Sequence, residues 1–222
     1  MRTRQLTTAT TVAATVLLLG ACSSSPLEGK NGTEVAEAAA DALEKAGSVH
    51  VQGTIEQGGE EGELDLQLQG EDSAGTLTID GVAIELVTAG GEQFLKAPDD
   101  FWASSGLPEE VASSLAGKWV ALPDGGADFA EFSLASILED LRNPSSDVKD
   151  EVGEDEVDGT DVVVVEQEDG SKLFVADEDP AYPLRLTSVG DQTGTLDLSE
   201  FGEEQDISAP EGAVDFGELL GG

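Results

Sequence analysis

Apolar and polar residues alternate over residues 48–97 in five short segments, which are separated by glycine-rich breaks. Because the side chains of a β-strand alternate between its two faces, each segment predicts a strand with one apolar and one wet face. The breaks, among them Asp80-Gly81 and Gly90-Gly91, are short enough for hairpins. The segments therefore predict an antiparallel meander whose apolar face needs a cover. Its apolar positions include Val49, Val51, Ile55, Leu64, Leu66, Leu68, Leu77, Ile79, Val82, Ile84 and Leu86.

A helix is predicted over residues 33–47, directly ahead of the meander. Thr33 is the expected N-cap, because its hydroxyl suits the free backbone N–H groups of a first turn. Gly47 is the expected stop, since glycine is the usual residue after a helix end. We expect the apolar stripe of this helix to pack on the sheet, and it consists of Val35, Ala38, Ala39, Ala42, Leu43 and Ala46.

Residues 97–122 predict two short helices and a strand. The second helix runs from Pro108, a residue that suits the first helical position, to Leu115. The strand is "GKWVAL", and a further helix is expected within residues 128–142, ended by Asn143-Pro144. These helices are the material available to cover the meander.

Strand-like segments return in the final third of the chain. The acidic run 147–159 predicts either a charged edge strand or a loose turn. No clean linker divides the chain, so we expect one α+β domain with a large antiparallel sheet and helices before, within and over it. The remaining segments predicted to be extended are 161–167, 172–177, 182–190, 193–202 and a last piece near 207–216.

The first 21 residues have the layout of a bacterial signal peptide. Arg2 and Arg4 precede an apolar run, and "LGAC" ends it at Cys22. This ending resembles the lipobox of bacterial lipoproteins, in which the cysteine thiol receives a diacylglycerol and the chain is cut just before it. The apolar run is short for a membrane span of about 20 residues, and the only cysteine has no disulfide partner. The interpretation is therefore a lipidated Cys22 on a polar tether that ends at residue 32.

The balance of charge is strongly acidic. The sequence has 10 basic and 47 acidic residues. Arg2 and Arg4 lie in the signal peptide, so the chain from Cys22 onward carries 8 basic and 47 acidic residues, a net charge of −39. Such a charge repels nucleic acid, and we expect no nucleic-acid partner.

The order of elements resembles a family of actinobacterial lipoproteins related to LppX and LprG, and more distantly the lipoprotein carrier LolA. The segments that carry this resemblance are the lipobox, the helix followed by a meander, "EQFLKAPDDFW", "LAGKWVAL" and "VADEDPAYPLRL". The resemblance covers most of residues 33–220 and implies a single domain, 33–222, with a half-open barrel whose concave side is plugged by helices. In such relatives the concave cavity holds acyl chains or lipidated peptides.

The apolar face of the meander is the candidate site. Either it is a filled core, as every sheet must bury one face, or it lines a cavity under helices rich in alanine. The expected lining consists of Val51, Ile55, Leu64, Leu66, Leu68, Leu77, Ile79, Ile84 and Leu86. Aromatic residues are expected where the helices meet the sheet, namely Phe94, Phe101, Trp102 and Trp119.

Residues for catalysis are scarce. His50 is the only histidine, it falls on the polar parity of its strand, and no activated serine is paired with it. Zinc ligands and phosphate-binding glycine loops are missing, so we expect neither a metal nor a cofactor. The acidic runs 147–161 and 177–179 are expected to be solvated faces rather than calcium sites. Lys96, Lys118 and Arg185 either meet a lipid headgroup at the cavity mouth or pair with carboxylates.

These observations favour a lipoprotein of the cell envelope that is not an enzyme. We expect it on the outer face of the cytoplasmic membrane, held by the lipid on Cys22, where it binds a lipid or an acylated molecule and carries or presents it. The alternative is a binding or signalling module with a filled core that contacts an envelope protein. A hydrolase is the weakest hypothesis.

Overall fold

A computed structural model of the chain describes residues 25–57, 59–123, 132–190 and 192–217. Within these ranges the chain forms four helices, α1 Gly32–Ala46, α2 Asp99–Ser104, α3 Glu109–Leu115 and α4 Leu134–Arg142. It also forms twelve strands: β1 Ser48–Gln57, β2 Glu60–Gln69, β3 Asp72–Ile79, β4 Val82–Ala89, β5 Glu92–Lys96, β6 Trp119–Ala121, β7 Gly153–Val157, β8 Thr160–Glu166, β9 Lys172–Ala176, β10 Pro183–Ser188, β11 Gln192–Ser199 and β12 Val214–Asp215.

All twelve strands belong to one sheet, in the order β12-β6-β5-β4-β3-β2-β1-β11-β10-β9-β8-β7. Each neighbouring pair is antiparallel except β12 with β6, which is parallel. The sheet is open, since β12 and β7 are at its two edges and do not pair with each other. The predicted α+β class and the large antiparallel sheet are confirmed.

One face of the sheet, here called the inner face, carries the apolar side chains and is covered by helices. The register aligns Leu198, Val51, Leu66, Gly75, Leu86, Leu95 and Val120 in one row across seven strands. The next row along the strands contains Leu196, Gly53, Leu64, Leu77 and Ile84. The opposite, outer face carries the polar parity, including His50, Gln52, Asp65, Glu85 and Lys96.

Two glycines in these rows allow the sheet to bend. A Cβ at Gly53 would lie 2.0 Å from the carbonyl oxygen of Thr195, and one at Gly75 would lie 2.1 Å from that of Asp65. Only glycine permits such close approach of neighbouring strands, and glycines inside strands are the usual points of sheet curvature. The sheet can therefore curve at these two positions, with the helices on its inner face.

Helix α1 begins one residue earlier than predicted, and its cap is Asn31 rather than Thr33. The Asn31 side chain accepts a hydrogen bond from the Glu34 backbone N–H at 3.0 Å, and the Glu34 carboxylate accepts one from the Asn31 N–H at 2.9 Å. This reciprocal pair satisfies two N–H groups at once, which Thr33 cannot do from its position inside the first turn. Gly47 ends the helix in the left-handed conformation with φ 73°, as predicted.

Helix α1 packs on β8, β9, β10, β1 and helix α4, so its stripe lies on the inner face as expected. Val35, Ala39 and Leu43 are fully buried there. Pro108 stands just before α3 as its N-cap residue rather than inside the first turn. Ser133 caps α4 by accepting from the Ser136 N–H at 3.2 Å, and the part of the predicted helix that falls within residues 124–131 lies outside the described residues.

The acidic run ends in β7, which forms the edge of the sheet, so the edge-strand alternative is confirmed. At the other edge, the predicted last extended piece is reduced to β12. The chain reaches it from β11 along the outer face of β2, where Gln67 donates to the Glu203 carbonyl at 3.1 Å and Gln69 accepts from the Gln205 N–H at 2.9 Å. The C-terminal segment therefore connects β2 to β6, past three intervening strands.

The first described residues pack on the domain. Leu27 is 2% exposed and belongs to the core, and the Ser25 hydroxyl contacts the Asp177 carboxylate. The Gly32 N–H donates to the Asp150 carbonyl at 3.2 Å. The prediction of a free tether up to residue 32 is wrong from Ser25 onward, because a buried leucine in its middle holds the segment down. Signal peptide and lipobox, residues 1–22, lie outside the described residues.

No helix in the described ranges is both long and apolar enough to span a bilayer.

Candidate ligand-binding site

The inner face brings together most of the residues that the sequence assigned to a cavity. Leu64, Leu66, Leu68, Leu77, Ile84 and Leu86 from the meander lie in one hydrophobic cluster with Val51, and Ile55 packs against it. The same cluster contains side chains from all four helices, namely Val35, Ala39 and Leu43 of α1, Trp102 of α2, Leu115 of α3, and Leu134 and Leu141 of α4. The helices thus sit directly on the predicted lining.

Burial of this face is graded along β11, β1 and β3. Leu198, Val51 and Leu77 are 4%, 3% and 4% exposed, whereas Leu196 and Ile55 are half-buried and Ile79 is 36% exposed. We call the buried end, which carries the β9–β10 connection (177–182), the closed end. The other, where β1 and β3 run out to Gln57 and Ile79, is the open end. Along these three strands the cover is therefore complete at the closed end and partial at the open end.

Half-buried apolar side chains of the covering helices line the same cluster. They are Phe101 and Leu107 around α2, Val111 of α3, and Phe132, Ile137 and Leu138 around α4. On the side of a helix that faces the core, large apolar side chains are usually buried, and it is unusual for so many of them to be half-exposed. These side chains and Ile55 pack against the cluster and stay accessible in part.

Two of the predicted aromatic residues lie on the wrong face. Leu95, not Phe94, is aligned with Leu86 and Val120, so Phe94 points to the outer face although it is only 6% exposed. Trp119 is aligned with Lys96 and also lies on the outer face. Adjacent apolar residues in β5 left the parity open, and the register with β4 decided it. Ile79 has the predicted parity, but it is exposed because it lies past the end of the helical cover.

Trp102 is placed as predicted, between helix and sheet. Its ring is 3% exposed, meets Phe101 edge-on at 5.2 Å and stacks against Phe216 at 6.1 Å between centroids. Its indole N–H finds no acceptor among the described residues. The stack joins α2 to the residue that follows β12, so the C-terminal segment also holds part of the cover.

The cations pair with carboxylates on the outer face. Lys96 lies 2.8 Å from Glu85 and over the Trp119 ring at 5.7 Å, and the Arg185 guanidinium contacts Asp197. The hydrogen bond and the charge of Asp197 raise the pKa of Arg185 above its ordinary value. Lys96 and Arg185 therefore do not reach the inner face, and Lys118 is exposed.

The single histidine is also on the outer face, with its Nε2 atom 2.8 Å from an oxygen of Asp65. Serine side chains do not appear among its hydrogen-bond partners in the described residues. In the same ranges no three histidine, cysteine or acidic side chains are grouped so that they would hold a metal ion. The chemistry expected of the inner face is thus apolar contact alone.

Two cavities lie away from the inner face of the meander, one on the outer face and one where the N-terminal segment meets the β7–β8 edge of the inner face. One, of about 390 Å³, is a shallow depression of the outer face beside Gln52, Glu63, Asp65 and Asp197. The other, of about 550 Å³, lies between the N-terminal segment and the β7–β8 edge, beside Ser25, Leu27, Val152 and Asp177. Sequence patterning gave no signal for either, because both arise where segments distant in sequence come together.

No model of a protein family matches the sequence, and no curated protein sequence matches it either. Solved structures do. LprF from Mycobacterium bovis is 15% identical with a TM-score of 0.50, and the match covers 82% of this chain and 99% of LprF. The Mycobacterium tuberculosis lipoprotein LppX is 13% identical with a TM-score of 0.50, over 80% of this chain and 98% of LppX. Taken with the open sheet and its four covering helices, these similarities show that the chain has the fold of LppX and LprF.

Proposed function

We propose that this protein is an envelope lipoprotein, anchored through Cys22, that binds a lipid or an acylated molecule on the inner face of its sheet and carries or presents it. The observation that carries the proposal is the graded burial of that face. An apolar surface that begins fully covered and ends partly exposed suits an acyl chain, which needs apolar contact along its length and an entrance. The lipobox sequence supports the anchor, and two acyl chains hold a protein stably on a bilayer.

The proposal contains no catalytic step. The one histidine lies on the outer face beside Asp65, and the inner face offers side chains that pack rather than react. Binding and release of an apolar molecule need only an apolar surface and covering helices that can move away from it. The protein acts, on this proposal, outside the cytoplasmic membrane, where a signal peptide and lipobox direct it.

A second function, a binding or signalling module with a filled core, is compatible with the same fold. Seven predicted lining residues are 6% exposed or less, and this favours a packed core. With such a core the protein would act by binding an envelope protein at another surface. The two proposals differ in one measurable respect, which is whether the inner face binds a ligand.

Native mass spectrometry on residues 24–222, purified without detergent and incubated with fatty-acyl probes, tests this directly. We expect a bound species of lipid mass that is released on denaturation. Leu66→Trp, which fills the inner face, is expected to reduce uptake at least tenfold. Thr76→Trp introduces the same side chain on the outer face, next to Gly75, which pairs with Leu66. This variant should leave uptake unchanged.

Uptake that is equal in both variants would contradict binding on the inner face. A chain that stays free of lipid with every probe would favour the second function, and a stoichiometric protein partner would then be sought. Leu86→Trp provides an independent inner-face variant in case Leu66→Trp fails to fold.

A further inference from the structure

The point at which the folded domain begins is fixed to one end of the sheet. The Ser25 hydroxyl contacts the Asp177 carboxylate and also accepts from the Leu27 N–H at 3.1 Å. Leu27 is almost fully buried, and the turn is closed by the Lys30 N–H donating to the Leu27 carbonyl at 3.1 Å. Asp177 directly follows β9, at the closed end of the sheet.

Only Ser23 and Ser24 separate Cys22 from this fixed point. Consecutive Cα atoms lie 3.8 Å apart, so three steps reach at most about 11 Å. The strands β1 and β2 have ten residues each, and at about 3.4 Å per residue they extend the sheet by roughly 34 Å from one end to the other. A cysteine near Ser25 therefore cannot reach the open end.

We propose that the closed end of the sheet, with the β9–β10 connection, faces the phospholipid bilayer and that the open end points away from it. This inference rests on the proposed lipid anchor at Cys22. It also assigns a direction to the proposed binding. The partly covered apolar surface at Ile55 and Ile79 lies on the far side of the domain, so ligand passes to or from a partner on the side away from the membrane of attachment.

Charge does not provide this orientation. The surface nearest the attachment carries Asp177, Glu178 and Asp179, with Asp158 in the neighbouring β7–β8 turn. Carboxylates are repelled by an anionic leaflet within a Debye length of about 8–10 Å. The short connection between Cys22 and Ser25 opposes that repulsion, and it alone decides which end is close to the lipid.

The test uses the full lipidated chain in phosphatidylcholine vesicles that contain a nitroxide headgroup lipid. Glu178→Cys at the closed end and Glu61→Cys at the open end each place one fluorophore on an exposed position. Once Cys22 is joined to the diacylglycerol as a thioether, the new cysteine carries the one thiol that reacts with the label. We expect quenching at position 178 to exceed that at position 61 at least threefold.

A ten-residue Gly/Ser insertion between Ser24 and Ser25 is the matched control. A flexible chain of that length spans about 18 Å on average, so the domain can turn over and the ratio of quenching at position 178 to that at position 61 should fall towards one. Equal quenching without the insertion, or a difference that survives it unchanged, would overturn the orientation. Failure of the protein to float with vesicles would instead overturn the lipid anchor, and the orientation with it.

Discussion

At the scale of single residues, the glycines on the inner face set how closely the strands approach one another. Gly53 lies between Val51 and Ile55 in an otherwise apolar parity, and a Cβ there would lie 2.0 Å from the Thr195 oxygen. Real Cβ atoms do not come so close to a backbone atom, so any side chain would push β1 from β11. The absence of a side chain is therefore a structural requirement of the curved sheet.

Gly53→Ala is expected to lower the free energy of unfolding by about 3 kcal/mol, because the strands must separate to admit the methyl group. Urea unfolding of residues 24–222 measures this. Gly153→Ala is the matched control in an edge strand, where the nearest atom to the new Cβ is the Val164 Cβ at 3.6 Å. We expect Gly153→Ala to stay within about 0.5 kcal/mol of the parent, and equal losses in both variants would contradict the steric argument.

At the scale of elements, helices α1 and α4 share apolar contacts over the inner face and are linked in addition through the charge of Arg142. Arg142 at the end of α4 lies 2.8 Å from Glu44 and 3.4 Å from Asp41 on α1. The hydrogen bond from Arg142, followed by its charge, lowers the pKa of Glu44 below its ordinary value of 4.5. The two helices form much of the cover, so this contact affects how readily the cover opens.

The pH dependence of stability follows from the direction of that shift. A carboxyl whose pKa is lower in the folded chain stabilises the fold above its ordinary pKa, and the effect is lost as the pH falls through the lowered value. Glu44→Gln should therefore unfold more easily than the parent at pH 7, with the difference constant down to about pH 5 and lost as the pH falls below 4.5 through the lowered pKa of Glu44. Thermal unfolding across that range measures the difference.

Glu37→Gln is the control for this experiment, because it removes a carboxylate from the same helix and Glu37 forms no ion pair in the described ranges. Removal of a repelling charge from so acidic a chain is expected to stabilise it slightly at pH 7. If Glu44→Gln behaved like Glu37→Gln at every pH, the contact with Arg142 would contribute nothing to holding α1 against α4.

At the scale of the whole molecule, the net charge of −39 on the chain from Cys22 onward opposes compaction. Most of the acidic side chains lie on the outer face, on the turns and on the edge strand β7, where they face solvent. The eight cations of this chain cannot neutralise them, even where they pair. Folding therefore depends on burial of the inner face exceeding this repulsion.

Salt should raise the melting temperature of residues 24–222, because it screens the repulsion between the carboxylates. Between low salt and 0.5 M NaCl we expect an increase of about 5 °C, as the Debye length shortens from roughly 30 Å to below 10 Å. MgCl₂ and CaCl₂ at equal concentration are the matched pair, and they should produce equal shifts. A larger shift with calcium alone would contradict pure screening and would point to a calcium site in the chain.

The sequence by itself was sufficient for the strands, the helices and their inner and outer faces over most of the chain. Alternation in segments such as "GELDLQLQG" is local, and each strand buries one face whatever its partners are. The α1 stop at Gly47 was likewise predictable, because it depends on neighbouring residues. For the acidic run the sequence left an edge strand or a loose turn open, and the sheet order decided for the edge strand. The lipobox lies outside the described residues and stays a prediction.

Only the tertiary structure decided how these elements meet. Phe94 and Leu95 are adjacent apolar residues, and the pairing of β5 with β4 placed Leu95 inward and Phe94 outward. Leu27 lies in a polar segment that composition alone predicts to be a tether, and a core formed by distant strands and helices buries it. The graded cover of the inner face also arises from elements far apart in sequence. Local patterns indicate which side chains are expected to be buried, whereas long-range packing determines how far each one is buried.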